Sequence, residues 1–235
     1  MRLSLILAPI LLAGYSAAAD DYWPHDDPFV DIRIGVATVP IPGDYLVTVD
    51  ISPEAGGGSV EYTDHMDEDR ATSFSYTIVG GHIDPLGPLF GLELVHAVAT
   101  QNLASRTRDG SDTPADSSPS SLQYRTLGGN LLAGMGLRLG PHVHLEAMGL
   151  AGLGSLDLDF SDEPGTEQAD GNGSYWTIGG RAGAYFTYRR LVLGLSLDYS
   201  RVTFEAQQDW TDARTSSEGE TTGFGARIEL GYHIQ

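Results

Sequence analysis

Seven histidines, His25, His65, His82, His96, His142, His144 and His233, are the residues of this 235-residue chain best suited to moving protons near neutral pH. Only one of them has an informative neighbour. In "PHVHLEAM" His144 and Glu146 stand two apart, so an extended strand puts them on one face, a base beside a carboxylate. No nucleophile can be assigned to that pair, and "PHVH" borders a tight turn, so it reads as turn and rim chemistry. The densest acidic run is "DHMDED" at 64–69, and "ADGNGS" lacks the D-x-[DN]-x-[DN]-G spacing of a calcium loop. The patterns "GGNLLAGMG" and "GLAGLG" lie inside alternating segments. A phosphate loop needs them between a strand and a helix. Glycine on a crowded wall explains them better. No catalytic residue, metal ligand or cofactor is assigned, and the chain is read as a non-enzyme.

The elements that carry these residues must first be exported. The chain opens "MRLSLILAPILLAGYSAAAD", with Arg2, an apolar run and an A-x-A site. A signal peptide over 1–19, removed after Ala19, is expected. Residues 20–28 are expected to be a periplasmic N-terminal segment and 29–235 a barrel. No later stretch could span a membrane as a helix, so any crossing is left to strands. Cysteine and lysine are both absent, so neither a disulfide nor a lipidated cysteine is available. The 13 arginines face 32 acidic residues, a net charge of −19, which argues against nucleic acid and anionic headgroups as simple electrostatic partners.

From residue 71 the sequence alternates with period two over 71–83, 88–103, 121–139, 142–160, 174–188, 190–205 and 219–234, and an earlier segment starts near Phe29. The connectors alternate in size. "IDPLGP", "GPH" and "YRRL" are tight, whereas 53–70, 105–121, 161–174 and 206–221 are long and hold 17 acids against four arginines. Short turns at one end and long loops at the other are the layout of an outer-membrane barrel. Residues 40–52 fit less easily, because Pro40 and Pro42 interrupt a ladder. They are expected to be the first strand resuming after a kink and pairing with "SVEYTDH" beyond the membrane.

The segment 174–188 sorts its faces cleanly. Trp176, Ile178, Ala182, Ala184, Phe186 and Tyr188 share one side; Thr177, Gly179, Arg181, Gly183 and Tyr185 share the other. At ~3.3 Å per residue and ~40° tilt, Trp176 and Phe186 are roughly 25 Å apart, the height of an apolar band between aromatic girdles. Trp176, Phe186, Tyr188, Tyr199 and Tyr232 are the expected girdle. A soluble carrier barrel would turn such a face inward. The Gly- and Ser-rich opposite face, the aromatics at strand ends and the one-sided connectors favour apolar-out. The inward face then carries Arg33, Glu93, Glu146, Arg181, Asp198, Arg227 and Glu229. These are expected to form a buried ion-pair network that plugs the barrel, the alternative being that some sit in water at the rims. The pattern slips within "GLAGLG", where a bulge is expected.

With its signal, eight segments, three tight turns, four long connectors and final "FGARIELGYHI", the chain resembles the small OmpA/OmpX-type outer-membrane β-barrels, and "IRIGVATVP" is reminiscent of OmpW-type first strands. The resemblance implies an all-β, eight-stranded antiparallel up-and-down transmembrane barrel in the outer membrane of a Gram-negative-type cell envelope. It implies lipid, lipopolysaccharide and the barrel-assembly machinery as partners, and a monomer. The assembly cue of such families, a terminal Phe with an aromatic two positions earlier, is shifted here to Tyr232 and Ile234. The expected role is structural or surface-interacting through the acidic loops. The alternatives are a narrow porin-like or OmpW-like path for small or hydrophobic solutes and a lipid A-modifying enzyme. Lipid A deacylases carry an H-x-S-N-like string, whereas Leu145 and Glu146 follow His144 here.

Overall fold

The computed structural model describes residues 28–67, 69–108, 111–114, 121–161, 169–209 and 213–234; the expected signal peptide and most of the expected N-terminal segment lie outside them. The strands are β1 Phe29–Pro40, β2 Asp44–Ile51, β3 Gly58–Met66, β4 Arg70–Gly81, β5 Leu86–Arg108, β6 Ser111–Pro114, β7 Ser121–Arg138, β8 Val143–Ser161, β9 Ala169–Tyr188, β10 Leu191–Asp209 and β11 Ala213–Ile234. β1, β4, β5, β7, β8, β9, β10 and β11 pair antiparallel in that order, and β11 pairs back onto β1, which closes an eight-stranded up-and-down barrel.

The β2–β3 hairpin continues this ring upward. Ala37 pairs with Arg227; nine residues on, Leu46 pairs with Glu218, nine residues back. β1 and β2 are therefore one strand interrupted by a kink, as the prolines at 40 and 42 require. The kink turns inward, and Pro40, Ile41 and Pro42 are buried. It is held on one side by Ile41 N–H donating to Asp69 O at 2.9 Å and Met66 N–H donating to Gly43 O at 2.6 Å. On the other side the ladder to β11 is interrupted between the pairs Ala37–Arg227 and Leu46–Glu218. β3 and β4 likewise share one register against β5, with a bulge at His65/Met66.

Two expectations need correcting. β8 keeps one register against both neighbours from end to end, so "GLAGLG" holds no bulge. The slip is one of chemistry: the inward face changes from Glu146 to Met148, Leu150, Leu156 and Leu158 while its parity is unchanged. The long connectors are also shorter than the sequence suggests. Residues 105–108, 169–174 and 213–220 belong to strands, which makes β5 23 residues long and β11 22, while "SVEYTDH" pairs with β2 as expected.

The reason for both lies in an inversion along the barrel axis. Below a level marked by Leu127, Leu153, Trp176, Tyr199 and Phe224, apolar side chains point outward; Leu131 is 65% exposed, Leu195 62% and Ile228 68%. Above it, Leu122, Tyr124, Leu156, Leu158, Phe204 and Ala206 are buried inside, and Gln123, Arg125, Asp157, Arg201 and Glu205 face out. A ring of exposed leucine is unfavourable in water at about 25 cal/mol per Å² and costs nothing in lipid. The lower barrel is therefore the membrane-spanning part, and the upper barrel, a continuation of the same strands, is built for water.

Candidate functional site in the barrel lumen

Period-two alternation sends the odd residues of β1, β4, β9 and β11, and the even residues of β7, β8 and β10, into the lumen. The charged ones meet in two tiers. In the upper tier Arg181 and Arg227 share Glu93 and Asp198. Arg181 donates from Nε to Asp198 Oδ1 at 2.7 Å and from Nη2 to Glu93 Oε1 at 2.9 Å. Arg227 donates from Nη2 to Asp198 Oδ2 at 2.9 Å and from Nη1 to Glu93 Oε1 at 2.8 Å, and also to Ser75. Asn130 and Thr77 donate to the same Glu93 at 2.8 and 3.2 Å. Two cations and two anions thus close a ring in which every charge has two opposite neighbours.

The lower tier is built on Arg33. Its Nη1 and Nη2 grip Glu146 at 2.8 and 2.5 Å, and Nη2 also donates to Asp31 Oδ2 at 2.7 Å. The guanidinium stacks on the Tyr185 ring, 4.1 Å from its centre, and Tyr185 donates to Glu229 at 2.6 Å. His144 lies 3.0 Å from Glu146 and parallel to Tyr185; His233 lies 2.7 Å from Asp31 and parallel to Phe29. Apolar packing surrounds the charges. Phe29, Val79, Ile83, Leu89, Leu132, Met148 and Leu150 form one cluster on the tight-turn side. Ile41, Tyr45, Leu122, Leu156, Phe204 and their neighbours form a second across the upper barrel.

All seven lumen residues singled out in the sequence, Arg33, Glu93, Glu146, Arg181, Asp198, Arg227 and Glu229, are buried in this interior, none more than 5% exposed. Sequence reasoning missed Asp31, Tyr185 and His233 as members, although each stands on the inward parity two to four residues from a charge that was named. Trp176, Phe186, Tyr188 and Tyr199 lie on the outer wall at 43–48% exposure, and Tyr232 is half-buried there.

Asp31, His144 and Glu146 bring one donor atom each within 4.8 Å of one another, a set of types that suits a metal. The Arg33 guanidinium already bonds both carboxylates, so the positive charge at that point comes from the chain itself. A further polar chain runs outside: Asp44 Oδ1 lies 2.7 Å from His65 Nδ1, and His65 Nε2 lies 2.8 Å from Thr107 Oγ1. It has the order of acid, base and hydroxyl. The chain braces three strands.

No family model and no curated protein matches this chain. Among solved structures it is similar to the outer membrane protein OprG from Pseudomonas aeruginosa, with 16% identity, TM-score 0.49, and coverage of 90% of this chain and 98% of that one. It is similar also to the outer membrane protease OmpT from Escherichia coli, with 11% identity, TM-score 0.43, and coverage of 92% and 99%. Ail, the attachment invasion locus protein of Yersinia pestis, matches with 13% identity, TM-score 0.37, and coverage of 88% and 99%. The chain has the fold of the small outer-membrane β-barrels, a conclusion that its closed eight-stranded ring and its outward apolar belt carry by themselves.

Proposed function

We propose that the protein is a monomeric outer-membrane barrel with a plugged lumen and a structural or surface-interacting role, exercised through the acidic wall that its strands raise above the membrane. The observation that carries this reading is the interior: two tiers of paired charges capped by an apolar cluster across the upper barrel. Water and solutes would have to displace both to pass. The outward residues of the extension, among them Asp50, Glu61, Asp157, Glu205 and Glu218, give it a strongly negative face. Such a face suits cationic partners or divalent ions that bridge to lipopolysaccharide phosphates.

The chain contains no cysteine, so single cysteines report its topology cleanly. A cysteine in place of Asp157 should react with a membrane-impermeant maleimide on intact cells, and one in place of Arg190 only after lysis. Reconstituted in a planar bilayer, the unmodified protein should carry no steady current. Reversed labelling would overturn the orientation, and a stable open conductance would replace the plug with the narrow-channel reading.

A further inference from the structure

The net charge of −19 sets the chain as a whole against anionic surfaces, but the charge is unevenly placed. Outside the lumen, among the described residues, the tight-turn end carries Arg138, Arg189 and Arg190 against Asp84. The other acids of the outer face stand at the opposite end. Two of the three arginines are neighbours and make up the turn between β9 and β10, where Tyr188 pairs with Leu191.

That turn is an unusual place for arginine. Arg189 has φ 56°, and it is the one non-glycine residue among those described with a left-handed backbone. A Cβ is disfavoured there, and a two-residue hairpin ordinarily places glycine or asparagine at such a position. The turn by itself would be better served by glycine. What arginine adds is a guanidinium, 5.5 Å from the centre of the Tyr188 ring on an exposed residue. Arg190 is exposed as well. Its Nη1 donates to the Tyr232 hydroxyl at 2.8 Å, and its carbonyl accepts from His233 N–H at 2.8 Å. Two permanent cations are thus seated on two girdle tyrosines, one on β9 and one on β11. A guanidinium carries five N–H donors, and the bond to Tyr232 takes one from Arg190. Such forks match the oxygens of a phosphate.

The surface next to the turn decides which phosphate. Phe186 and Tyr188 on β9 and Leu191 and Leu193 on β10 rise from it at 43–46% exposure, the lower edge of the apolar belt. A free anion would use none of that surface. A phospholipid covers it with acyl chains while its phosphate lies at the height of the turn.

We propose that the Arg189–Arg190 turn is a binding site for the phosphate of a phospholipid in the leaflet on the tight-turn side. The two guanidiniums hold the phosphate, and the acyl chains lie along the outward faces of β9 and β10. The site rests on the outer-membrane placement proposed above, and the compartment it faces rests on the orientation.

Native mass spectrometry of the full chain, released from a charge-neutral detergent, tests this with three probes: phosphatidylglycerol, diacylglycerol of the same acyl chains, and inorganic phosphate. The unmodified protein should retain phosphatidylglycerol and lose diacylglycerol. Arg189→Gln/Arg190→Gln should weaken phosphatidylglycerol retention by about tenfold or more, the loss expected for charge-assisted hydrogen bonds. Arg189→Gly separates the side chain from the turn. Glycine relieves the left-handed residue, so in lipid-free detergent this variant should resist heat at least as well as the unmodified protein while retaining less lipid. Undiminished retention by the double variant, or diacylglycerol held as firmly as phosphatidylglycerol, would overturn the proposal. So would inorganic phosphate bound as firmly as the lipid. A less heat-resistant Arg189→Gly would assign Arg189 to the fold and overturn it too. Reversed cysteine labelling alongside intact retention would sink the orientation and leave the phosphate site standing.

Discussion

Arg227 is buried and touches Glu93, Asp198 and Ser75. Replacing it by leucine leaves Glu93 and Asp198 to share Arg181 alone, one buried negative charge in excess. Breaking a buried pair in this way typically costs about 3–5 kcal/mol. Arg227→Leu should therefore lower the temperature at which the folded band disappears in a heat-modifiability gel. Arg201→Ala, which removes a pair with Glu220 that is about half-exposed on both sides, should leave that temperature unchanged. Equal behaviour of the two variants would mean that the tiers contribute no cohesion. At this scale the sequence reveals face but not height. Parity sends Arg33 and Glu146 inward, but their meeting across 113 residues depends on the stagger between strands, which alternation does not encode.

Along the strands, the kink at Pro40–Gly43 leaves a stretch of the ladder between β1 and β11 open. Thr38 and Arg70 reach across it: Thr38 Oγ1 accepts from Ala226 N–H at 3.3 Å, and Arg70 donates to Phe224 O at 2.9 Å. Side-chain bonds of this kind are looser than a ladder. Hydrogen exchange should accordingly be faster for those amides of 219–226 that point away from β10 than for their counterparts in 227–234 that face β1. Equal protection would show the two strands joined throughout. The strand–kink–strand reading of 29–51 was legible because proline cannot donate. The lengths of β9, β10 and β11 were not. Their upper ends carry serine, threonine, glycine and acids on the outward face, a composition shared by loops and by strands standing in water.

As a whole the molecule is a barrel with two solvents, and the same parity serves both. Its upper cluster places Tyr45 and Tyr124 in a dry interior, and burial pushes both phenols well above their ordinary value, with a smaller contribution from the neighbouring phenol in each case. A raised phenol stabilises the fold fully below about pH 10, where the unfolded chain is also protonated, and the contribution is lost as pH climbs through the folded value. Ultraviolet titration should therefore find these tyrosines silent until the extension unfolds. Ionisation of Tyr45 and Tyr124 near pH 10 in the folded protein would mean that the upper interior is wet. The inversion explains why apolar-out was legible and the apolar upper interior was not. The lower strands repeat leucine on one face for a full membrane thickness, but Leu156 and Leu158 resemble a slipped register until the height of the lipid boundary is known.

The outward belt has a consequence that precedes folding. Because every second residue belongs to the other face, its leucines are never contiguous in the chain, and among the described residues no helix is long and apolar enough to cross a membrane. Machinery that retains proteins by sensing uninterrupted hydrophobic stretches meets none in these strands. The greasy surface exists only once the strands lie side by side, so the chain acquires its affinity for a bilayer at the moment of sheet closure and not before.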